Sequence, residues 1–149
     1  YFAKKNMRIV FLFFTAILFG SCSVEPTPLL YGKDACHACK MTLMDKKFGA
    51  EVVTSKGKVY KFDDMNCMVN FLNSESFQEE DIAYRLVIDF ANPEKFIDAK
   101  DAHYVKSDNI RSPMASEVAA FSKKEDLDAA NKEWRGILLS WGELVVAFK

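Results

Sequence analysis

Hydrophobic residues change their spacing along the chain, and each spacing predicts a different element. An unbroken apolar or small run covers residues 9–19. Runs rich in β-branched and aromatic residues follow at 49–55 and 58–62, on either side of a Lys56-Gly57 turn. Two such runs across a glycine-containing turn predict a β-hairpin.

A helical spacing follows the predicted hairpin. Apolar residues at i, i+3, i+4 and i+7 begin at Met65 and end at Leu72, which is the stripe of an amphipathic helix. Asp63 or Asp64 can cap this helix, because an aspartate accepts hydrogen bonds from the free amides of a first turn. A short apolar run at 85–90 then predicts a strand, so the first half has the order β-β-α-β.

The second half repeats this order with weaker signals. Ser116 and Asp126 are candidate helix caps, and Gly136 is a candidate helix terminator. The predicted elements are a strand at 103–106, a turn-rich connection at 107–113, a short helix at 116–121, a helix at 126–134, a buried strand at 137–140 and a helix at 141–148. The fold class is therefore α+β, with two related β-β-α-β units in possible repeat halves at 45–92 and 97–149.

The N-terminal apolar run has the features of an export signal. It follows three basic residues, and its eleven residues are too few to span a membrane, which takes about 20. A secretory signal core has about 7–15. Small residues then precede Cys22, as in a lipobox, where a peptidase cuts before a lipidated cysteine; ordinary secretion is the alternative. We predict a signal peptide at 1–21, lipid attachment at Cys22, a flexible tether at 22–32 and one domain at 33–149.

Removal of the predicted signal peptide changes the charge. Three of the 20 basic residues lie in residues 1–21, so 17 remain against 21 acidic residues, a net charge of −4. This mildly acidic chain does not favour nucleic-acid binding, which needs clustered Lys and Arg. Thirteen Phe and two Trp supply enough apolar bulk for a core. We therefore expect an exported globular protein, anchored to a membrane and facing the periplasm.

Candidate chemistry is concentrated between the tether and the hairpin. The segment contains Cys36-x-x-Cys39-x-Met41, with His37 inside the motif and Met44 shortly after it. Thiolates and thioethers are soft ligands, which favour copper(I) over harder cations. Because a thioether has no proton to lose, a methionine stays available where thiols are protonated. A Cys-x-Met pair and one distant sulfur or imidazole would suffice for copper(I).

Three residues elsewhere are further ligand candidates. Met114 lies beside Pro113 in a turn, outside any periodic apolar face, so it has little reason to be part of the core. Cys67 falls on the flank of the predicted helix and is either a ligand or an inert buried thiol. His103 lies in a strand pattern and is either a ligand or a half-buried structural imidazole.

The same cysteines allow other chemistry. Cys36 and Cys39 could form a disulfide, since exported proteins meet oxidants. A thioredoxin-like motif fits less well, because that motif belongs at a helix start after a buried strand. A four-ligand zinc site would have to draw on Cys67, His37 and His103. The residues alone leave these alternatives open.

Several short motifs resemble, in order and spacing, the NosL family of nitrous-oxide reductase accessory lipoproteins. Along the chain they are Cys22, Cys39-Lys40-Met41, Asp45, Phe48-Gly49-Ala50-Glu51-Val52, Gly57, Phe62-Asp63-Asp64, Ile97-Asp98-Ala99, Tyr104-Val105, Ser112-Pro113-Met114, Ala120-Phe121 and Gly136. The resemblance covers residues 33–144.

The resemblance implies a copper(I)-binding periplasmic lipoprotein rather than an enzyme. Such proteins pass copper to the maturing copper centres of nitrous-oxide reductase, with help from a membrane ABC-type complex. Their fold is similar to part of the organomercurial lyase MerB and consists of two related β-β-α-β units. The family's Cys-x-Met motif corresponds to Cys39 and Met41, and its downstream methionine to Met114. Cys36 or a histidine would be optional ligands.

The chain departs from the family pattern at two places. Lys40 stands where a glycine is common, and Pro113 and Ala115 stand in a stretch that is often glycine-rich. These departures leave the exact ligand set open.

Two other function classes also stay open. One is an enzyme that uses Cys36 and Cys39, either a thiol-disulfide oxidoreductase or an organomercurial-lyase-like enzyme with Asp45 as the acid. The other is a structural lipoprotein with one disulfide.

Overall fold

The computed structural model describes residues 23–75 and 77–149, so Cys22 and the predicted signal peptide lie outside the described residues. A single 3-10 turn covers Glu79–Asp81. The other elements are β1 (Ala50–Thr54), β2 (Val59–Phe62), α1 (Met65–Ser74), β3 (Ile82–Ile88), β4 (Phe96–Asp98), β5 (His103–Lys106), β6 (Val118–Phe121), α2 (Lys124–Trp134), β7 (Ile137–Leu139) and α3 (Trp141–Ala147).

The first sheet is antiparallel, with the strand order β2-β1-β3-β4. The predicted hairpin is confirmed: β1 and β2 pair with Ala50 opposite Phe62 and Val53 opposite Val59. In the connecting turn, Gly57 has a φ of +81° and donates its N–H to the carbonyl of Thr54 at 2.8 Å. A glycine adopts this left-handed conformation without steric cost.

The segment predicted to be a flexible tether is instead fixed to this sheet from Thr27 onward. The N–H and hydroxyl of Thr27 donate to the carboxylate of Glu51 at 2.8 and 3.1 Å, and Glu51 is fully buried. Leu29 is buried too, and a Cβ on Gly49 would lie 2.7 Å from its side chain. Because a buried carboxylate needs hydrogen-bond donors, this contact keeps the segment in place.

Helix α1 confirms the predicted amphipathic stripe. Its N-cap is Asp64, whose carboxylate accepts the N–H of Met65 at 2.7 Å. The buried residues of the helix are Met65, Cys67, Met68, Val69 and Phe71. All of these except Val69 belong to the main core, and the helix contacts β1 and β2.

The second sheet has the strand order β6-β5-β7, and both neighbours of β5 are antiparallel to it. The predicted short helix at 116–121 is wrong, because Val118–Phe121 is strand β6, paired with His103–Lys106. A short apolar run cannot be assigned to helix or strand from its pattern alone. Here the run pairs with the edge of β5 as a strand, and the hydroxyl of Ser116 donates a hydrogen bond to Asp64 instead of capping a helix.

The last three elements follow the predicted order with two differences. Helix α2 begins at Lys124, two residues before the predicted start, and ends with Arg135 in a left-handed conformation. Strand β7 is an edge strand whose Ile137 is 71% exposed, so the expectation of a buried strand is wrong. Helix α3 confirms the prediction, and Ser140 caps it in a capping box with Glu143.

Both faces of the second sheet are covered, and one of them packs against the first sheet. One face of that sheet, with Val105 and Phe121, packs against Leu127 of α2 in a small core. The opposite face, with Tyr104 and Ala120, belongs to the main core shared with α1 and the first sheet. Each half thus begins with the predicted order β-β-α-β, and its first strand lies between the other two; β4 extends the first sheet, and α3 follows β7. Within the described residues, no helix has both the length and the apolar content to cross a membrane.

Candidate metal centre

Residues 32–43 fold back on themselves into what we call the sulfur loop. Its two arms are joined by Gly32 N–H to Leu43 O at 2.7 Å and by Cys36 N–H to Met41 O at 2.8 Å. The N–H of His37 donates to Lys61 O on β2 at 2.7 Å, which fastens the loop to the first sheet. Local hydrogen bonds therefore fix the loop.

The sulfur loop and the start of α1 bring four candidate ligands together. One ligand atom from each of Cys36, Cys39, Asp63 and Cys67 lies within 4.8 Å of all the others. Cys36, Asp63 and Cys67 are buried, whereas Cys39 is partly exposed. We call these four residues the thiol–carboxylate cluster. All three thiols are free of disulfides.

Hydrogen bonds within the cluster, together with burial, give the three thiols different pKa values. The S–H of Cys67 donates to Cys36, and with help from the amides of Cys39 and Asp63 this lowers the pKa of Cys36 to about 6. The same hydrogen bond, together with burial, raises the pKa of Cys67. Burial raises the pKa of Cys39, whose sulfur lies 3.5 Å from both carboxylate oxygens of Asp63. Near neutral pH the cluster therefore holds one thiolate between two protonated thiols.

This donor set determines what the cluster can hold. A thiolate is the metal-binding form of cysteine, and an ion that binds must displace the remaining thiol protons. Three sulfurs and one carboxylate oxygen suit a soft cation such as copper(I), and four such ligands also suit zinc. The partial exposure of Cys39 leaves one sulfur open to a partner.

The other predicted ligands of the sulfur loop lie at its surface. Met41 is 57% and Met44 71% exposed. The N–H of Met41 hydrogen-bonds to the sulfur of Cys39. His37 is exposed, with its ring centroid 4.7 Å from that of Tyr60. Partial burial of the imidazole, with nearby lysine charges, lowers the pKa of His37, which favours the neutral, metal-binding form.

Met114 is brought from the second half to the start of α1. Its N–H donates to the carboxylate of Asp64 at 2.9 Å, and its carbonyl accepts from the side chain of Asn66 at 2.8 Å. Its side chain packs, partly buried, against the main core, which includes Cys36 and Cys67. The structure thus places this methionine beside the helix turn that carries one of the three thiols.

The backbone shows why glycine suits two of the positions at which the chain departs from the family pattern. Lys40 has a φ of +66° and Ala115 a φ of +54°. Both values lie in the left-handed region that glycine adopts most easily. The glycine-like conformation is therefore present at each position although the glycine is not.

One predicted ligand, His103, lies away from the cluster. His103 is exposed at the start of β5 and lines a surface cavity of about 330 Å³ with Trp141. Cys22 lies outside the described residues, and nothing in the structure bears on its lipid attachment.

One member of the cluster, Asp63, is absent from the predicted ligands. A signal for it is present in the sequence. Two aspartates precede α1, whereas Asp64 alone supplies the cap. A second carboxylate at a helix start is then free for another contact, and here that contact is the sulfur of Cys39.

Comparison with known proteins identifies the family and the fold. A family model described as NosL matches residues 28–147. The crystal structure of the copper chaperone NosL from Shewanella denitrificans matches with a TM-score of 0.68 and 22% sequence identity, covering 81% of this chain and 96% of that chain. No curated protein matches. At such low identity, the match between structures shows a shared fold.

Proposed function

The chain belongs to the NosL family, and on that premise we propose that it binds copper(I) and delivers it to a cuproenzyme. The observation that carries the proposal is the thiol–carboxylate cluster, with its four ligand atoms within 4.8 Å of one another. Sulfur ligands favour soft cations such as copper(I) over harder ones, and the similar solved structure is that of a copper chaperone. The protein acts as a carrier, and copper is its cargo.

In the proposed site, Cys36 and Cys39 bind copper(I) as thiolates. Cys67, Met41 and Met114 are the further sulfurs from which the coordination is completed. Because Cys36 has a pKa of about 6, it binds first without losing a proton. The proton of Cys39 has an acceptor at hand in the carboxylate of Asp63, 3.5 Å from the sulfur.

Delivery proceeds by ligand exchange. An acceptor sulfur or imidazole joins the copper before one of the protein's own ligands leaves. Cys39 and Met41 are the reachable ligands, since Cys36 and Cys67 are buried whereas Met41 is 57% exposed. The weak thioether bond breaks first, so copper leaves through the exposed side of the sulfur loop.

The proposed acceptor is nitrous-oxide reductase during maturation of its copper centres, together with a membrane ABC-type complex. Lipidation of Cys22 would hold the protein at the periplasmic surface of a membrane, where such a complex resides. This part of the proposal is supported by family membership and by the lipobox-like sequence before Cys22. Transfer from the copper-loaded protein to copper-free nitrous-oxide reductase, followed by the absorption of its copper centres, tests it.

The central experiment is a titration of the purified, reduced protein with copper(I) under anaerobic conditions, against a chromophoric copper(I) chelator. We expect one tightly bound copper per chain, and weaker binding in Cys39→Ser, Met41→Leu and Met114→Leu. His103→Asn is the matched control, because His103 lies outside the cluster. Folded, fully reduced protein that binds no copper(I) contradicts the proposal. Turnover of insulin or glutathione disulfides would point to the oxidoreductase instead.

A further inference from the structure

The carboxylate of Asp64 joins the two halves of the chain. Its side chain is fully buried and accepts four hydrogen bonds. One comes from Met65 N–H at 2.7 Å, at the start of α1. The other three come from the second half: Met114 N–H at 2.9 Å, Ser116 N–H at 3.2 Å and the Ser116 hydroxyl at 2.5 Å. A single side chain thus caps the helix of Cys67 and holds the loop of Met114.

The loop at 112–117 depends on such an outside contact. Ala115 and Glu117 both have left-handed φ values, of +54° and +58°, although neither is glycine. Residues in such sparsely populated conformations persist where their surroundings hold them, and they cluster at ligand clamps. Asn66 adds a second hold on this loop, through Met114 O at 2.8 Å.

We propose that Asp64 is a positioning residue for copper(I), which acts by holding Met114 against the thiol–carboxylate cluster. The inference rests on the proposed function and goes beyond it, since Asp64 itself need not touch the metal. Its neighbour Asp63 contacts Cys39, so the two consecutive aspartates have different roles. Asp63 belongs to the cluster, and Asp64 brings a thioether from the other half to it.

The test is a double-mutant cycle with Asp64→Asn and Met114→Leu, measured by copper(I) affinity. We expect each variant to weaken copper(I) binding by roughly 10- to 100-fold, the usual cost of losing a group that orients a metal ligand. The double variant should be no weaker than Met114→Leu alone, because both changes remove the same thioether. X-ray absorption should count one sulfur fewer per copper in all three variants.

Two further variants separate positioning from general stability. Ser116→Ala removes one donor to Asp64 but leaves the carboxylate and its helix cap, so it serves if Asp64→Asn fails to fold. It should lower the affinity in the same direction. Asp89→Asn is the matched control: Asp89 is also fully buried and accepts from Ser122 of the second half at 2.6 Å. It should lower stability without changing the sulfur count.

The outcomes distinguish this inference from the proposed function. A wild-type protein that binds no copper(I) overturns both. Binding that weakens in Cys39→Ser but not in Met114→Leu overturns the inference alone. So does an Asp64→Asn protein that keeps the full sulfur count, or a double variant whose loss is the product of the two single losses.

Discussion

The two halves share an element order but differ in the two residues that join the second strand to the helix. In the first half these residues are Asp63 and Asp64, which contact Cys39 and cap α1. In the second half they are Ser122 and Lys123, and α2 has no side-chain cap. The same element order therefore supports the thiol–carboxylate cluster at one of the two helix starts only. Topology places the positions, and the side chains at those positions decide the chemistry.

Burial of the two helices differs in the same way. Helix α1 buries five residues, four of them in the main core, whereas α2 buries only Leu127 and covers the outer face of the second sheet. At the third helical position, α1 has Cys67 and α2 has Asp126, which is partly exposed. A thiol at this position faces other ligands in the first half, and the equivalent carboxylate faces solvent.

Core substitutions at the fourth helical position should show that the halves share stability but not function. Met68→Ala and Leu127→Ala should each lower the free energy of unfolding by about 2–5 kcal/mol, since both side chains are buried. Urea titration measures this. Only Met68→Ala should also weaken copper(I) binding, because it loosens the helix that carries Cys67. Equal loss of affinity in both variants would show that the site depends on overall stability.

Substitution at the third helical position tests the comparison at the metal. We expect Cys67→Ser to weaken copper(I) binding by about a hundredfold, because a direct ligand should matter at least as much as the groups that orient one. Asp126→Asn is the matched control and should leave the affinity unchanged. Competition with a copper(I) chelator measures both. An unchanged affinity in Cys67→Ser would make Cys67 a core thiol and not a ligand.

The stability of the reduced, copper-free protein should depend on pH through the thiol–carboxylate cluster. The pKa of Cys36 falls from an ordinary value of 9.0 to about 6 on folding. Between these values the unfolded chain holds a proton that the folded chain has lost, so stability should rise from pH 6 to pH 9. Above that range the raised pKa of Cys67 reverses the trend.

Urea denaturation across this pH range measures the effect. In Cys36→Ala the rise should disappear, and in Cys67→Ala it should shrink, because Cys67 donates the hydrogen bond that lowers the pKa of Cys36. The second half contains no cysteine. A rise that survives in Cys36→Ala would assign the pH dependence to other groups.

The smallest effect concerns the missing cap of α2. Lys123→Asp places an N-cap carboxylate where the first half has Asp64, and it should raise the free energy of unfolding by about 1 kcal/mol. Thermal or urea unfolding measures the gain, with Lys132→Asp in the last turn as a control that should not stabilise. Copper(I) affinity should stay the same, since α2 lies outside the cluster. No gain would mean that the N-terminus of α2 is satisfied without a cap.

Local pattern predicted the elements whose signals are carried by neighbouring residues. The hairpin of β1 and β2, the stripe of α1 and the helices α2 and α3 all follow from spacing, turn residues and caps. Strand β6 was predicted as a helix, because a short apolar run has no distinctive period. The polar composition of residues 22–32 predicts a flexible tether, because it gives no sign of the hydrogen bond between Thr27 and the buried Glu51.

The sequence by itself determined the family and the fold class, and it places Cys39 and Met41 in one short motif, because these depend on residue type and short spacing. Only the tertiary structure decided that Asp63 and Cys67 lie beside the two cysteines of the sulfur loop. It also decided that Asp64 hydrogen-bonds to the loop that contains Met114. These contacts join residues 24 to 52 positions apart. Such contacts depend on how helix and sheets pack, and local spacing carries no record of that packing.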